Sequence, residues 1–227
     1  MSLVCSYCPN RYFHLKNVIQ TVLVSRPCIK QTLSALMLTF FLTGCATFPH
    51  PTVNLNSTAH QISLNQEDRW LIKGRIGFKS PEKKQSANIR WQQAQQRYQL
   101  NMTSIIGTSI LKMQGDEQTV TLVTDDETYQ DSDPSHLIWR VTGWHIPVEK
   151  LRFWIKGQHQ KRDKVITSEQ GWISQLQPSC NDCQNWIINY DNYKLVDEIW
   201  LPHKVVLNDS LNNSQLLIRI NQWDLHE

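Results

Sequence analysis

The sequence predicts a mainly β protein with helices (α+β), a curved antiparallel sheet with helices covering an opening or a face. Three observations carry this reading. Apolar and polar residues alternate with a period of two, Ala87, Ile89 and Trp91 against Ser86, Asn88 and Arg90, then Tyr98, Leu100 and Met102 against Arg97, Gln99 and Asn101. That is the pattern of antiparallel strands with one wet and one dry face. Turn formers punctuate the strands at short spacing (Ser80-Pro81, Gln114-Gly115-Asp116, Asp125-Asp126), which suits a meander curling into a sandwich or barrel. The middle of the chain then changes period, with Leu137, Ile138 and Val141 recurring at helical spacing.

Taken in order, the stretch from Ala46 to about Glu67 is polar and holds Pro49 and Pro51. It reads as a tether running into a short helical turn around Gln61 to Trp70. Leu71 to Phe78 is the first expected strand, with Gly74 and Gly77 relieving crowding where it bends. Val120 to Val123 belongs to a later strand. Asp133-Pro134-Ser135 is a helix start with proline in the first turn, and Gly143 closes that helix. Pro147 opens a second helix through Leu151, Trp154 and Ile155, ended by Gly157. Strands resume at Trp172 to Leu176, Trp186 to Tyr190, Leu195 to Leu207 and Leu216 to Trp223.

The N-terminal end does not belong to this body. Leu33 to Gly44 is an apolar run preceded by Arg26 and Lys30. It is long enough for the hydrophobic part of a secretory signal and too short to span a bilayer, which needs about 20 residues. It ends in Leu42-Thr43-Gly44-Cys45, which resembles the lipobox cut and lipidated in bacterial lipoproteins. The expected organisation is therefore a signal peptide over 1–44, a lipidated N-terminus and tether over 45–67, and one domain over 68–227, with Cys45 the lipidation site. The stretch before Val24, with Cys5 and Cys8, does not look like a signal, so translation is expected to begin near Val18 to Val24. Attachment would come from the lipid: one acyl chain binds only marginally, and the three implied by the lipobox bind firmly.

Four of the 23 basic residues (Arg11, Lys16, Arg26, Lys30) and no acidic residue precede Cys45, leaving 19 basic against 20 acidic, a formal charge of −1. The basicity of the whole chain belongs to the signal and gives no ground for a nucleic-acid partner. The 182 residues after Cys45 suffice for one domain with its own core. They hold two cysteines, Cys180 and Cys183, among the turn formers Pro178, Ser179, Asn181 and Asp182. A disulfide across a tight turn is the leading reading in an oxidising compartment; free thiols, a half metal site and a redox pair stay open behind it.

Catalytic patterns are missing. The chain has no His-Glu-x-x-His, no Gly-x-Ser-x-Gly and no phosphate-cradling glycine loop. Asp125, Asp126 and Glu127 read as a hydrophilic turn rather than a metal site. No enzyme activity, metal or cofactor is expected. Apolar area is plentiful instead: nine tryptophans either fill an ordinary core or line a cavity too wide for aliphatic side chains.

An ordered set of segments resembles the LolB family of outer-membrane lipoprotein receptors. It runs from the lipobox through Gly74-Arg75-Ile76-Gly77-Phe78, the strand ending at Trp91 and Met102-Thr103-Ser104-Ile105-Ile106-Gly107-Thr108. It continues with Gly143, Ile146-Pro147, Leu151-Arg152-x-Trp154-Ile155-x-Gly157, Leu201-Pro202-x-Lys204 and Ile220-x-x-Trp223. The resemblance implies a half-open antiparallel β-barrel whose hydrophobic cavity is covered by helices. It implies acceptance of lipoproteins from a LolA-like periplasmic carrier and their insertion into the inner leaflet of the outer membrane, by a monomer held on that membrane and facing the periplasm. Ile89, Trp91, Leu100, Met102, Leu111, Met113, Leu122 and Trp154 are the expected acyl-chain cavity. Ile105, Ile106 and Gly107 fall on the family's membrane-insertion loop. A proline is expected before the apolar residue there, and Ile105 takes its place; the Cys180/Cys183 pair is a second departure. Two rivals remain: a structural lipoprotein that scaffolds partners over a filled core, and a thiol enzyme resting on the cysteine pair.

Overall fold

A computed structural model describes residues 55–226 apart from Asp182 and Gln184; Cys45, the signal segment and the expected start near Val18 to Val24 lie outside the described residues. In chain order it comprises α1 (Ser57–Gln66), β1 (Arg69–Lys79), β2 (Lys84–Ala94), β3 (Arg97–Thr103), β4 (Ser109–Gly115), β5 (Val120–Val123), β6 (Thr128–Asp131), α2 (Pro134–Thr142), α3 (Val148–Trp154), β7 (Lys164–Thr167), β8 (Ile173–Gln177), β9 (Trp186–Val196), β10 (Ile199–Asp209) and β11 (Ser214–Asp224).

The strands form one antiparallel sheet in the order β6-β5-β4-β3-β2-β1-β11-β10-β9-β8-β7. The chain meanders from β1 out to β6, passes through α2 and α3, re-enters at β7 and meanders back until β11 pairs with β1. The helices thus bridge the two free edges of an open sheet. Its buried face is continuous: Leu122 of β5, Trp91 of β2, Ile218 of β11 and Leu176 of β8 belong to one cluster with Leu137, Ile138, Leu151 and Trp154 of the helices. Strand twist accumulated over eleven strands makes such curling natural. The described residues fall in one compact unit.

Local chemistry explains the elements. Asp133 caps α2 by accepting from the Ser135 and His136 amides at 2.8 and 3.1 Å, and Gly143 ends it with φ 75°, a left-handed conformation suited to glycine. Val148 N donates to Ser135 Oγ at 3.0 Å, which fastens the start of α3 to the start of α2. Gly74 sits where β11 carries an extra residue opposite the Lys73–Gly74 step. A Cβ there would come within 2.0 Å of the Arg219 carbonyl oxygen, whereas one at Gly77 would meet nothing closer than 3.9 Å. The bend needs Gly74 and leaves Gly77 free.

Two expectations are corrected. The helical turn placed at Gln61 to Trp70 lies earlier, as α1, where Asn56 accepts from the Thr58 and Ala59 amides; Trp70 belongs to β1. Leu195 to Leu207 is not one strand but parts of β9 and β10, joined at Asp197 and Glu198 with φ 44° and 73°. A two-residue hairpin with positive φ at both central positions normally carries Asn-Gly or Asp-Gly; Asp-Glu gives no such signal.

Candidate functional site: an apolar cavity beneath a helical lid

The inner side chains of β1 to β4 and the undersides of α2 and α3 enclose a wholly apolar hollow of about 30 Å³. Ile76, Ile89, Trp91, Leu100, Met102 and Met113 supply the sheet side; Ile138, Trp144, Ile146, Val148 and Leu151 supply most of the lid side. Five of the eight expected positions, Ile89, Trp91, Leu100, Met102 and Met113, therefore come together on the wall. Leu111, Leu122 and Trp154 are buried, but the wall does not include them. Alternation assigns a face of a strand and is silent on which stretch of that face lies under a gap.

Residues 143–147, between the helices, were not read as cavity wall because they follow no period. Yet Trp144 stacks on Phe78 at 4.8 Å and 16°, and its indole N–H donates to Gln85 Oε1 at 3.0 Å. These contacts hold the lid down on β1 and β2. The tryptophans divide accordingly. Trp91 and Trp144 face the hollow, while Trp70 packs edge-on between Trp91 and Trp223 at 5.0 and 5.6 Å. Larger depressions exist, one of about 570 Å³. That one is an outer groove in which Trp139, Ile146, Pro147, Trp186 and Leu211 stand beside Asp133, Glu149 and Lys150; it lies outside the space between sheet and lid.

The hairpin β3–β4 supplies Leu100, Met102 and Met113 to the cavity and carries Ile105 and Ile106 at its tip. These are 69% and 90% exposed. The turn is closed without proline. Ser104 N donates to Thr108 O at 2.8 Å, Gly107 N to Ser104 O at 3.0 Å and Thr108 N to Ser104 Oγ at 3.1 Å. Asn88 adds a bond from its side chain to Ser104 O, and Gly107 takes φ 90°. The turn is thus held by hydrogen bonds at its base while its two isoleucines stand bare in water.

At the C-terminal end of α3, Lys156 is buried and donates through Nζ to the Leu64 carbonyl at 2.9 Å and to that of Glu67. Burial pulls its ammonium down to about 8, against the opposing pull of Glu67 and Asp68. It caps the C-terminal end of α1, so α1 is fastened to the end of α3. Cys180 and Cys183 form a disulfide with Cα atoms 5.3 Å apart. Among the described residues no cluster of His, Cys, Asp or Glu could hold a metal ion, and no helix is long and apolar enough to cross a membrane.

The family model for the outer membrane lipoprotein LolB matches residues 68–223. The chain belongs to the LolB family. Its relatives include the outer-membrane lipoprotein LolB of Vibrio cholerae, 32% identical over 87% of this chain and 97% of that one. That of Aeromonas hydrophila is 33% identical over 86% and 95%. Among solved structures, a LolA superfamily protein from Nitrosomonas europaea superposes with a TM-score of 0.50 over 76% of this chain and 94% of its own, at 8% identity. That likeness is one of fold alone. The LolB match begins one residue before β1 and ends within β11, so it spans the whole sheet and the lid.

Proposed function

We propose that this LolB-family protein, held on the outer membrane by a lipidated Cys45, accepts lipoproteins from a LolA-like periplasmic carrier. It holds their acyl chains between sheet and lid and inserts them into the inner leaflet. The observation that carries this is the pairing, on one hairpin, of an apolar cavity wall and a bare apolar tip: the strands that would hold a chain run directly into the turn that would meet the bilayer.

The energetics favour such a path. A sixteen-carbon chain has about 15 methylene-scale groups worth roughly 0.8 kcal/mol each, so release into water costs about 12 kcal/mol. A protein that moves such chains must pass them from cavity to cavity and then to lipid. Size adds a condition. Liquid water occupies about 30 Å³ per molecule and a methylene takes a similar space, so one chain needs about 500 Å³. The hollow has room for only about two or three waters, so on this reading α2 and α3 lift from the sheet when a chain is loaded.

The test is a two-step transfer. A carrier charged with radiolabelled lipoprotein is mixed with residues 46–227, and the complexes are separated before liposomes are added. Cargo is expected first on the domain and then in the liposomes. Cargo that stays on the carrier, or the absence of any binding of an apolar dye by the domain, favours instead a scaffold with a filled core.

A further inference from the structure

Beside the apolar cavity lies a second hollow of about 340 Å³, between the β2–β3 hairpin and the start of α3. Trp91 and Val148 line both, so the two spaces share a wall. Four residues of the second hollow carry polar atoms that are buried and find no hydrogen-bond partner among the described residues: Trp91 Nε1, Gln93 Oε1, Tyr98 OH and Arg152 Nε. Trp91 and Gln93 are 1% and 3% exposed. The orientation of the Gln93 amide is fixed, because its NH2 donates to the carbonyls of Gln95 and Arg97 at 2.7 and 3.3 Å, which leaves the oxygen free. Room for the Tyr98 hydroxyl is kept by Gly115, whose place a Cβ would fill at 2.8 Å from that oxygen.

Buried polar groups are nearly always satisfied, and each orphan carries a desolvation cost. Four gathered at one hollow, next to a space shaped for hydrocarbon, call for a ligand with complementary groups. Uncovered by a small movement of the hollow's wall, they would offer three donors and one free amide acceptor. A triacylated cysteine has two ester carbonyls and one amide carbonyl to accept, and one amide N–H to donate. The charged residues around the hollow, Asp116, Glu117 and Glu149 against Lys150 and Arg152, give no cationic excess for a phosphate. We infer that this hollow receives the glyceryl-cysteine head of the cargo, its ester and amide groups meeting Trp91, Gln93, Tyr98 and Arg152 while the chains run past Trp91 and Val148 into the cavity. This rests on the acyl-carrying reading above and adds to it where the head of the lipid sits. The signal was present in the sequence: Gln93 continues the inward phase of Ile89 and Trp91, and a polar residue at an inward position asks for a partner.

The test compares two ligands on residues 46–227, wild type and Tyr98→Phe/Arg152→Met. One is a synthetic tripalmitoyl-S-glyceryl-cysteinyl peptide and the other is diphenylhexatriene, an apolar dye with no polar head. The double variant is expected to bind the lipopeptide about tenfold more weakly and the dye within about twofold of wild type, removing two of the four contacts at roughly half a decade or more each. Its thermal midpoint without ligand should change little, because neither Tyr98 OH nor Arg152 Nε has a hydrogen-bond partner among the described residues and the variant gives up only the stacking of Arg152 over the Phe153 ring at 4.6 Å. Unchanged lipopeptide affinity, or a parallel loss for both ligands, overturns the head site while leaving the cavity. If the wild type binds neither ligand, the acyl-carrying reading fails and the head site with it.

Discussion

Ile106 stands 90% exposed at the tip of a hydrogen-bonded turn, so its replacement touches surface rather than core. Insertion of one isoleucine into hydrocarbon contributes roughly 1.5–3 kcal/mol, and a carboxylate there is penalised instead. Ile106→Glu is expected to alter folding stability by about 0.5 kcal/mol or less, to leave acceptance of cargo intact, and to slow delivery to liposomes about tenfold or more, with loaded protein accumulating. Failure at acceptance would place the turn at the cavity mouth instead. Lys156 gives a pH test. Its folded value of about 8 lies below the ordinary 10.5, so between those pH values the unfolded chain holds a proton that the folded chain has shed. Stability from this group is therefore lowest below about pH 8 and rises toward pH 10.5. The difference in unfolding free energy between wild type and Lys156→Met should grow in favour of wild type over that window; a flat difference would mean that Lys156 keeps its proton. At this scale the sequence was legible wherever a residue breaks a pattern: two isoleucines in a turn, a glycine in a strand. It was mute on Lys156, whose partners at Leu64 and Glu67 lie far away along the chain.

Besides the buried apolar contacts of α2 and α3 with the sheet, the lid is held by the stacking of Trp144 on Phe78 and by a hydrogen bond to Gln85, a residue exposed to solvent. Gln85→Ala removes that bond, worth about 0.5–1.5 kcal/mol, and leaves the stacking. Entry of an apolar dye, followed by stopped flow, should quicken by up to about tenfold, with little change in global unfolding. Entry at the wild-type rate would show that the lid opens elsewhere. Elements with caps and clean periods could be read in advance: α2 through Asp133, Pro134 and Gly143, β2 and β3 through alternation. The short β6 and β7 carry no such pattern, and the β9–β10 turn was hidden because Asp197 and Glu198 adopt positive φ without the glycine that usually announces it. The loop at 143–147 contributes Trp144 and Ile146 to the cavity through tertiary position alone, which no local period encodes.

Over the whole molecule the meander was legible, because consecutive strands pair throughout except across the helices between β6 and β7, and the one pairing of distant strands is β1 with β11. That pairing, and the bridging of the free edges by α2 and α3, decide that a cavity exists beneath the lid. Alternation supplied the face, and only the bridging of the sheet's free edges by the helices supplied the place. The account's central claim is that cargo acyl chains occupy this space. The chain has four methionines, Met1, Met37, Met102 and Met113, and the last two line the cavity. Residues 46–227, made with photo-methionine and freed of any initiator methionine, would therefore carry a photoreactive, nearly isosteric probe at those two sites alone. After transfer of a lipoprotein bearing radiolabelled palmitate from the carrier, illumination should join the labelled chain covalently to a peptide containing Met102 or Met113. Transfer without any such cross-link would place the lipid outside the cavity and contradict the account.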